Sequence, residues 1–208
     1  MHVADMVPPC ETLYDVGCDH GYLGIYLLQQ KRCERVVFTD IHKEPLESAK
    51  NNVSLAGLSK ACDFVCTDGL RGLSPKETDC VCICGMGGPV MESILRAAAP
   101  MAYLILEPQS DVIAFHRYLS EAGFVWEKED MIKESGSKYY PIEAGRFADG
   151  DIEKLNVPYP LLKTADHAVY KEFIEYRKKI INEILNGKKK LPQKREAELL
   201  DELDSITK

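Results

Sequence analysis

The densest run of chemically capable residues is Leu13-Tyr-Asp-Val-Gly-Cys-Asp-His-Gly-Tyr-Leu-Gly24, an apolar strand-like stretch that passes through a glycine-bearing loop into an amphipathic segment. Gly17 permits a tight turn there, and Gly21 lets a ligand approach the backbone closely. Gly17, Gly21 and Gly24 are offset by four and three residues, whereas a dinucleotide fingerprint needs offsets of two and then three. Asp15, just ahead of Gly17, and Asp19, which follows Cys18 inside the loop, would repel a pyrophosphate and attract an ammonium group. The loop therefore suits a ligand with an amino-acid end.

Asp40-Ile41 closes the second strand-like run, where a carboxylate can accept from both hydroxyls of a ribose. Asp68-Gly69 closes the third, placed to accept from an adenine amino group. A single such aspartate serves equally well as a helix cap or a turn opener. Acids at successive strand ends point instead to the edge where open α/β sheets bind ligands. S-adenosylmethionine, with an ammonium group, a ribose with both hydroxyls free and an adenine, suits this set of acids better than a pyrophosphate-bearing ligand. Farther on, Gly85-Met86-Gly87-Gly88 leaves room for a ligand or an incoming base beside the backbone, and the alternative is a flexible turn. Glu107-Pro108-Gln109 follows the fifth strand-like run, with proline stiffening two polar side chains able to read an amide-like edge. His20, beside Asp19, is positioned to shape the first loop or to touch a substrate.

These residues need a scaffold, and the chain alternates short apolar runs with amphipathic ones. Strands are predicted over 12–16, 35–39, 62–66, 79–84, 102–106, 124–131 and 139–146, and helices over 22–30, 45–56, 90–98 and 111–122. The expected fold is a Rossmann-type α/β sheet covered on both faces. Two late strands with no helix between them predict an antiparallel hairpin at the sheet edge, an ending of class I methyltransferases and not of dehydrogenases. From Thr164 the pattern becomes purely helical, with Asn186-Gly187 as a stop and a second helix from Gln193, a helical hairpin. The expected organisation is a binding domain over residues 1–150 and a helical appendage over 151–208.

The eight cysteines, among them the alternating Cys80, Cys82 and Cys84, read as reduced, buried small residues and not as zinc ligands. A net charge of −7 argues against a uniformly basic nucleic-acid binder. Lys171 to Arg195 nevertheless holds nine basic residues against three acidic ones, which makes it a candidate phosphate-facing surface or a solvated helix face. No apolar run approaches the roughly 20 residues of a bilayer span, so a cytoplasmic protein is expected, without metal or an obligate protein partner.

Taken together, Asp15-Val-Gly-Cys-Asp-His-Gly-Tyr-Leu23, Pro45-Leu-Glu-Ser-Ala-Lys50, Asp68-Gly-Leu70, Gly85-Met-Gly-Gly88, Leu104-Ile-Leu-Glu-Pro108 and Lys138-Tyr-Tyr140 resemble the bacterial TrmK tRNA (adenine-N1)-methyltransferases along nearly the whole chain. The family usually carries alanine at Gly21, proline at Gly24, glutamate at Asp40 and Gln-Pro-Asn where this chain has Glu107-Pro108-Gln109. The resemblance implies S-adenosylmethionine as cofactor, held by Asp15, Gly17, Cys18, Asp19, Gly21, Asp40, Ile41, Asp68, Gly69, Gly85 and Met86. It further implies tRNA as partner and methylation at N1 of adenine 22. His20, Gly87, Gly88, Pro108 and Gln109 would then meet the base, Lys188, Lys189 and Lys190 the RNA backbone, and Asp19, with Glu107 second, would assist transfer. Residues 1–7 would be a shortened form of an N-terminal segment that touches RNA. Two other readings remain open: a class I methyltransferase acting on another RNA, a protein or a small molecule, and a noncatalytic RNA-binding Rossmann protein.

Overall fold

The computed structural model describes residues 2–98, 100–134, 136, 138–148, 167–187 and 191–207. The elements follow one another as α1 (His2–Met6), β1 (Cys10–Val16), α2 (Tyr22–Gln29), β2 (Cys33–Asp40), α3 (Lys43–Leu55), β3 (Cys62–Cys66), β4 (Cys80–Met86), α4 (Gly88–Ala98), β5 (Tyr103–Pro108), α5 (Val112–Glu121), β6 (Phe124–Lys133), β7 (Tyr139–Phe147), α6 (Ala168–Leu185) and α7 (Gln193–Thr207). The strands form one sheet in the order β3-β2-β1-β4-β5-β7-β6. Neighbours β3, β2, β1, β4 and β5 pair in parallel, β7 runs antiparallel to β5, and β6 runs antiparallel to β7. The order reverses between β1 and β4, so the ligand crevice of an open sheet falls where the first loop lies.

Alternation along the strands sends side chains to two cores. On one face Leu13, Val36, Phe38, Cys80, Cys82 and Ile105 meet Leu27, Leu46, Ala49 and Val53 from α2 and α3. On the other, Val16, Val81, Ile83, Leu104 and Leu106 meet Met91 and Leu95 of α4 and Phe115 and Leu119 of α5. All eight thiols are free, and Cys80, Cys82 and Cys84 do share one sheet face, packed into the first core. Burial pushes the Cys33 thiol up to about 12 and those of Cys82 and Cys84 well above the ordinary range. Among the described residues, no group of three or more His, Cys, Asp or Glu could hold a metal ion, and no helix is long and apolar enough to cross a membrane.

A third cluster joins Met131 of β6 to Tyr170, Phe173, Ile174 and Ile181 of α6 and Leu199 and Ile206 of α7. The helical hairpin is thus packed on the hairpin edge of the sheet. Ion pairs Lys133–Glu172 and Arg117–Asp201 reinforce the join. The boundary expected at residues 150 and 151 lies outside the described residues. His167 caps α6 by accepting from the Tyr170 amide through Nδ1 (3.2 Å), which leaves Nε2 to donate to Asp130 Oδ1 (3.0 Å). Asp130 Oδ2 also meets His2 Nδ1 at 2.8 Å. One carboxylate of β6 therefore anchors both α1 and the start of α6.

The structure departs from the sequence-based expectation at the ends of β4 and β5. Both run two residues farther, so that Met86 pairs with Pro108 across a bulge between Cys84 and Met86. Glycine and proline read as strand breakers locally. Here the Glu107 carboxylate accepts the Gly85 amide (2.7 Å) and the Gln109 amide donates to the Met86 carbonyl (2.9 Å), which keeps the pair going. Helix α4 starts at Gly88, not Val90, because the Gly88 amide donates to the Ser110 carbonyl at 2.9 Å.

Candidate active site

Five segments end along one edge of the sheet: 17–21 after β1, Asp40-Ile41 after β2, Asp68-Gly69 after β3, Gly85–Gly88 at β4 and Glu107–Gln109 at β5. The first loop turns through left-handed backbone at Gly17 (φ 73°), Asp19 (φ 49°) and Gly21 (φ 71°). A β-carbon on Gly17 would stand 2.2 Å from Met86 Cε, so the side chain of the β4 loop lies directly against the β1 loop. Gly24 serves close packing of α2 on the sheet. Its missing side chain makes room for the Phe38 ring and Val36, within 2.8 Å of where a β-carbon would be.

Asp15 is 7% exposed. It is bonded by the backbone amide of Gly24 in the first turn of α2, while its Oδ2 is buried without a partner. Burial pushes its carboxyl up to about 7 against that amide. A buried carboxylate oxygen with no donor is costly by itself, and an ammonium group from a ligand would satisfy it. Asp40 Oδ1 accepts the His42 amide at 2.9 Å, which fixes its carboxylate at the mouth beside the exposed Ile41. Asp68 is exposed and lies 3.9 Å from Arg71. Gly69, at φ 59°, lets Ile94 of α4 pack where a β-carbon would be.

His20 turns toward α3, with Nδ1 at 2.6 Å from Ser48 Oγ and its carbonyl accepting from Asn52 at 3.0 Å. Its ring stacks on the exposed Tyr22 at 5.5 Å, and Nε2 lies 3.6 Å from Asp19 Oδ1. His20 thus pins the first loop to the helix that follows β2. Asp19 is solvent-facing at the loop tip. Glu107 is buried, and burial raises its carboxyl against the opposing effect of the Gly85 amide. Pro108 is buried and Gln109 exposed beside it, with Gln109 Nε2 near Gly85. Gly87 and Gly88 pack on Ser110, and Gly88 also on Phe115, too closely for a side chain.

Sequence reasoning missed the residue that ties the loops together. Thr39 is fully buried, its carbonyl accepts the amides of Gly17 (2.8 Å) and Cys18 (3.1 Å), and its hydroxyl donates to the Gly69 carbonyl (3.2 Å). Three ligand-facing loops meet at this one residue. Its signal was a lone hydroxyl ending the apolar run Val36-Val-Phe-Thr39.

On the β5 side, a cavity of about 690 Å³ opens from Gln109, Ser110 and Asp111 toward Tyr139 and Tyr140 and the facing sides of α6 and α7. The basic stretch of the appendage is not an uncompensated patch. Arg177 pairs with Glu202, Arg195 with Glu198, Lys178 with Glu175 and Lys179 with Glu183. Of these pairs, Arg177–Glu202 crosses the hairpin from α6 to α7, and the others lie within one helix. Lys188, Lys189 and Lys190 lie outside the described residues.

A parallel sheet reversed at β1, closed by a β7-β6 hairpin and carrying acids at or near the ends of β1, β2, β3 and β5, defines a Rossmann-type fold whose site suits a ligand that joins an amino acid to a nucleoside. Residues 1–142 match the family model described as methyltransferase domain, and the chain belongs to that family. The chain is 28% identical over 153 residues to the tRNA (adenine(22)-N(1))-methyltransferase of Bacillus subtilis, an alignment covering 72% of this chain and 64% of that protein. The chain thus spans less than two thirds of that relative's length. A solved structure of a protein in the NADB-Rossmann superfamily from Streptococcus agalactiae superposes with a TM-score of 0.82 at 27% identity, covering 99% of this chain and 93% of that one. TrmK of M. capricolum, solved with S-adenosyl-homocysteine, shares the fold at a TM-score of 0.81 and 22% identity, over 99% of this chain and 93% of that one.

Proposed function

We propose that this chain methylates N1 of adenine 22 in tRNA, with S-adenosylmethionine as the methyl donor. The observation that carries the reading is the unpartnered, buried Oδ2 of Asp15 at the start of a loop whose neighbours offer carboxylates at Asp40 and Asp68. Asp15 would hold the ammonium end, Asp40 the ribose and Asp68 the adenine, with Gly17 and Gly85 giving the ligand access to the backbone. The names of the Bacillus subtilis relative and of the M. capricolum neighbour support the substrate.

When bound, the cofactor supplies an electrophilic methyl on a sulfonium, so the protein's part is alignment and field rather than covalent chemistry. Gln109, on its proline-stiffened turn, faces the acceptor side, and Gly87 and Gly88 keep the wall beside it thin. An adenine engaged in pairing must leave the stack to reach this edge. Methylation at N1 leaves a cationic base. Asp19, solvent-facing at the loop tip, stabilises that charge or takes the proton of the exocyclic amine. Glu107 stands second, because its Oε2 already holds the Gly85 amide. Lys188, Lys189 and Lys190 would meet the RNA backbone. The reading carries a cytoplasmic location with it, as the substrate is there.

The test is transfer of labelled methyl from S-adenosylmethionine to unmodified bacterial tRNA, followed by nucleoside analysis. N1-methyladenosine at position 22 is expected. Cofactor binding without labelling of tRNA would remove the substrate from the proposal and leave the methyltransferase fold.

A further inference from the structure

Behind the β5 turn lies a buried charged pair that the chemistry above does not use. Glu143 of β7 is 0% exposed and His116 of α5 is 3% exposed, and their Oε1 and Nε2 atoms are 2.5 Å apart. The other oxygen of Glu143 accepts the indole N–H of Trp126 in β6 at 3.1 Å. The Trp126 ring stacks on the His116 ring with centroids 5.9 Å apart and planes 16° apart. Glu129 of β6 stands directly opposite Glu143 in the hairpin and also acts on His116. The charged groups facing the imidazole are thus Glu143 from β7 and Glu129 from β6.

The placement of this pair is specific. Glu143 lies beside Leu106 in register, one residue before Glu107. His116 lies in the second turn of α5, whose first turn follows directly on the Glu107–Asp111 turn. Asp111, ahead of α5, has φ 52° and gives the helix no side-chain cap, so the entry to α5 is not fixed by a cap of its own. The same turn holds the β4 loop through Glu107 to Gly85, Gln109 to Met86 and Ser110 to Gly88.

We propose that His116 and Glu143 are positioning residues: their ion pair clamps α5 onto the β7-β6 hairpin and so fixes the Glu107–Asp111 turn against the acceptor side of the site. The assignment of that side rests on the methyltransfer reading given above; the clamp itself does not. Burial works against a protonated His116, and Glu143 outweighs it to raise the imidazole above its ordinary range. His116 therefore keeps its proton to a higher pH than a free histidine would, and the pair is released as pH rises further.

The chain has one tryptophan, and it touches both partners. A stacked imidazolium quenches indole emission by accepting an excited-state electron, whereas neutral imidazole does so weakly. Trp126 fluorescence should rise in a single step with pH, with its midpoint above the ordinary histidine value of about 6.5. Glu143→Gln keeps the acceptor for Trp126 and removes the charge, and should lower the midpoint. His116→Gln should abolish the step. Amide hydrogen exchange then reads the clamp: in Glu143→Gln the 107–111 turn should exchange about tenfold faster while β1 to β4 are unchanged. If the substrate assignment holds, kcat on tRNA should fall about tenfold with the KM for S-adenosylmethionine unchanged. A shifted fluorescence step with unaltered exchange in the 107–111 turn would overturn the clamp. Normal fluorescence and exchange results from a protein that does not methylate tRNA would overturn the substrate and leave the clamp standing.

Discussion

The methyl end of Met86 occupies the space that a side chain on Gly17 would need, with Cε 2.2 Å from the position of such a β-carbon. The loop that would hold the donor and the loop proposed to face the acceptor are therefore in direct contact through one thioether. Gly17→Ala should both displace Met86 and strain a backbone at φ 73°, the latter by about 1–2 kcal/mol. Calorimetric titration with S-adenosylmethionine should show at least a roughly tenfold loss of affinity. Adding Met86→Ala should recover part of it, because the second change relieves the collision and not the backbone strain.

Asp15 couples stability and ligand affinity to pH. Its folded carboxyl titrates near 7, above the unfolded value of 3.8, so between those values the folded state holds a proton that the unfolded state has lost. Stability contributed by this group consequently falls as pH rises through that window, and the full penalty, on the order of 4 kcal/mol as an upper figure, is present above it. Asp15→Asn keeps an acceptor for the Gly24 amide and removes the charge. Urea unfolding at pH 8 should show the ligand-free variant to be more stable than the parent. The opposite should hold for binding: S-adenosylmethionine affinity of the parent should weaken as pH drops below about 7, and the variant should bind weakly at every pH.

Thr39→Val tests the junction of the three loops. The isosteric change leaves the carbonyl that receives Gly17 and Cys18 and deletes the hydroxyl bond to Gly69. A loss of about 0.5–1.5 kcal/mol in folding stability is expected, together with a several-fold loss of nucleoside affinity. An unchanged dissociation constant for adenosine-containing ligands would show that the Gly69 turn holds its shape without Thr39.

How much of this was legible beforehand divides by sequence separation. Asp15, Asp40 and Asp68 could be read as strand-end acids because strand, turn and acid are contiguous. The β4 and β5 ends were not legible, since glycine and proline signal a break unless a partner strand supplies the Gly85 to Glu107 bond from 22 residues away. The same holds for the appendage. Counting charges between Lys171 and Arg195 gave a basic surface, because Glu202 and Glu198, which neutralise Arg177 and Arg195, lie beyond that window in α7. His116 and Glu143 carry no signal apart and acquire meaning only once α5 is laid over β7.

The anchor at Asp130 makes a further prediction about the appendage. Its carboxyl is held below the ordinary range by the bonds from His2, the Met131 amide and His167, which together outweigh partial burial. Stability from this group is thus present above the unfolded value of 3.8 and is lost as pH falls through the lower folded one. Asp130→Ala should accelerate hydrogen exchange at the start of α6 and in α1, and leave the parallel strands protected. Uniform exchange across the chain would show that the anchor acts on the whole fold.

If the proposed RNA contact holds, charge reversal at Lys188, Lys189 and Lys190 should weaken tRNA binding and reduce the slope of log affinity against log salt by about 1 for each phosphate no longer neutralised. Cofactor affinity should not move. A slope equal to that of the parent would assign the lysines to solvent.

The sheet order also governs how the chain can be completed during synthesis. In the order β5-β7-β6, the later strand is the inner one, so when β6 emerges from a ribosome it has no neighbour to pair with and β5 is still an open edge. Neither is resolved until β7 has been made and slotted between them. A nascent chain halted before Tyr139 therefore exposes an unpaired β6 and the open edge of β5 at once, the condition in which edges join the wrong molecule, and β7 is the strand that makes both safe.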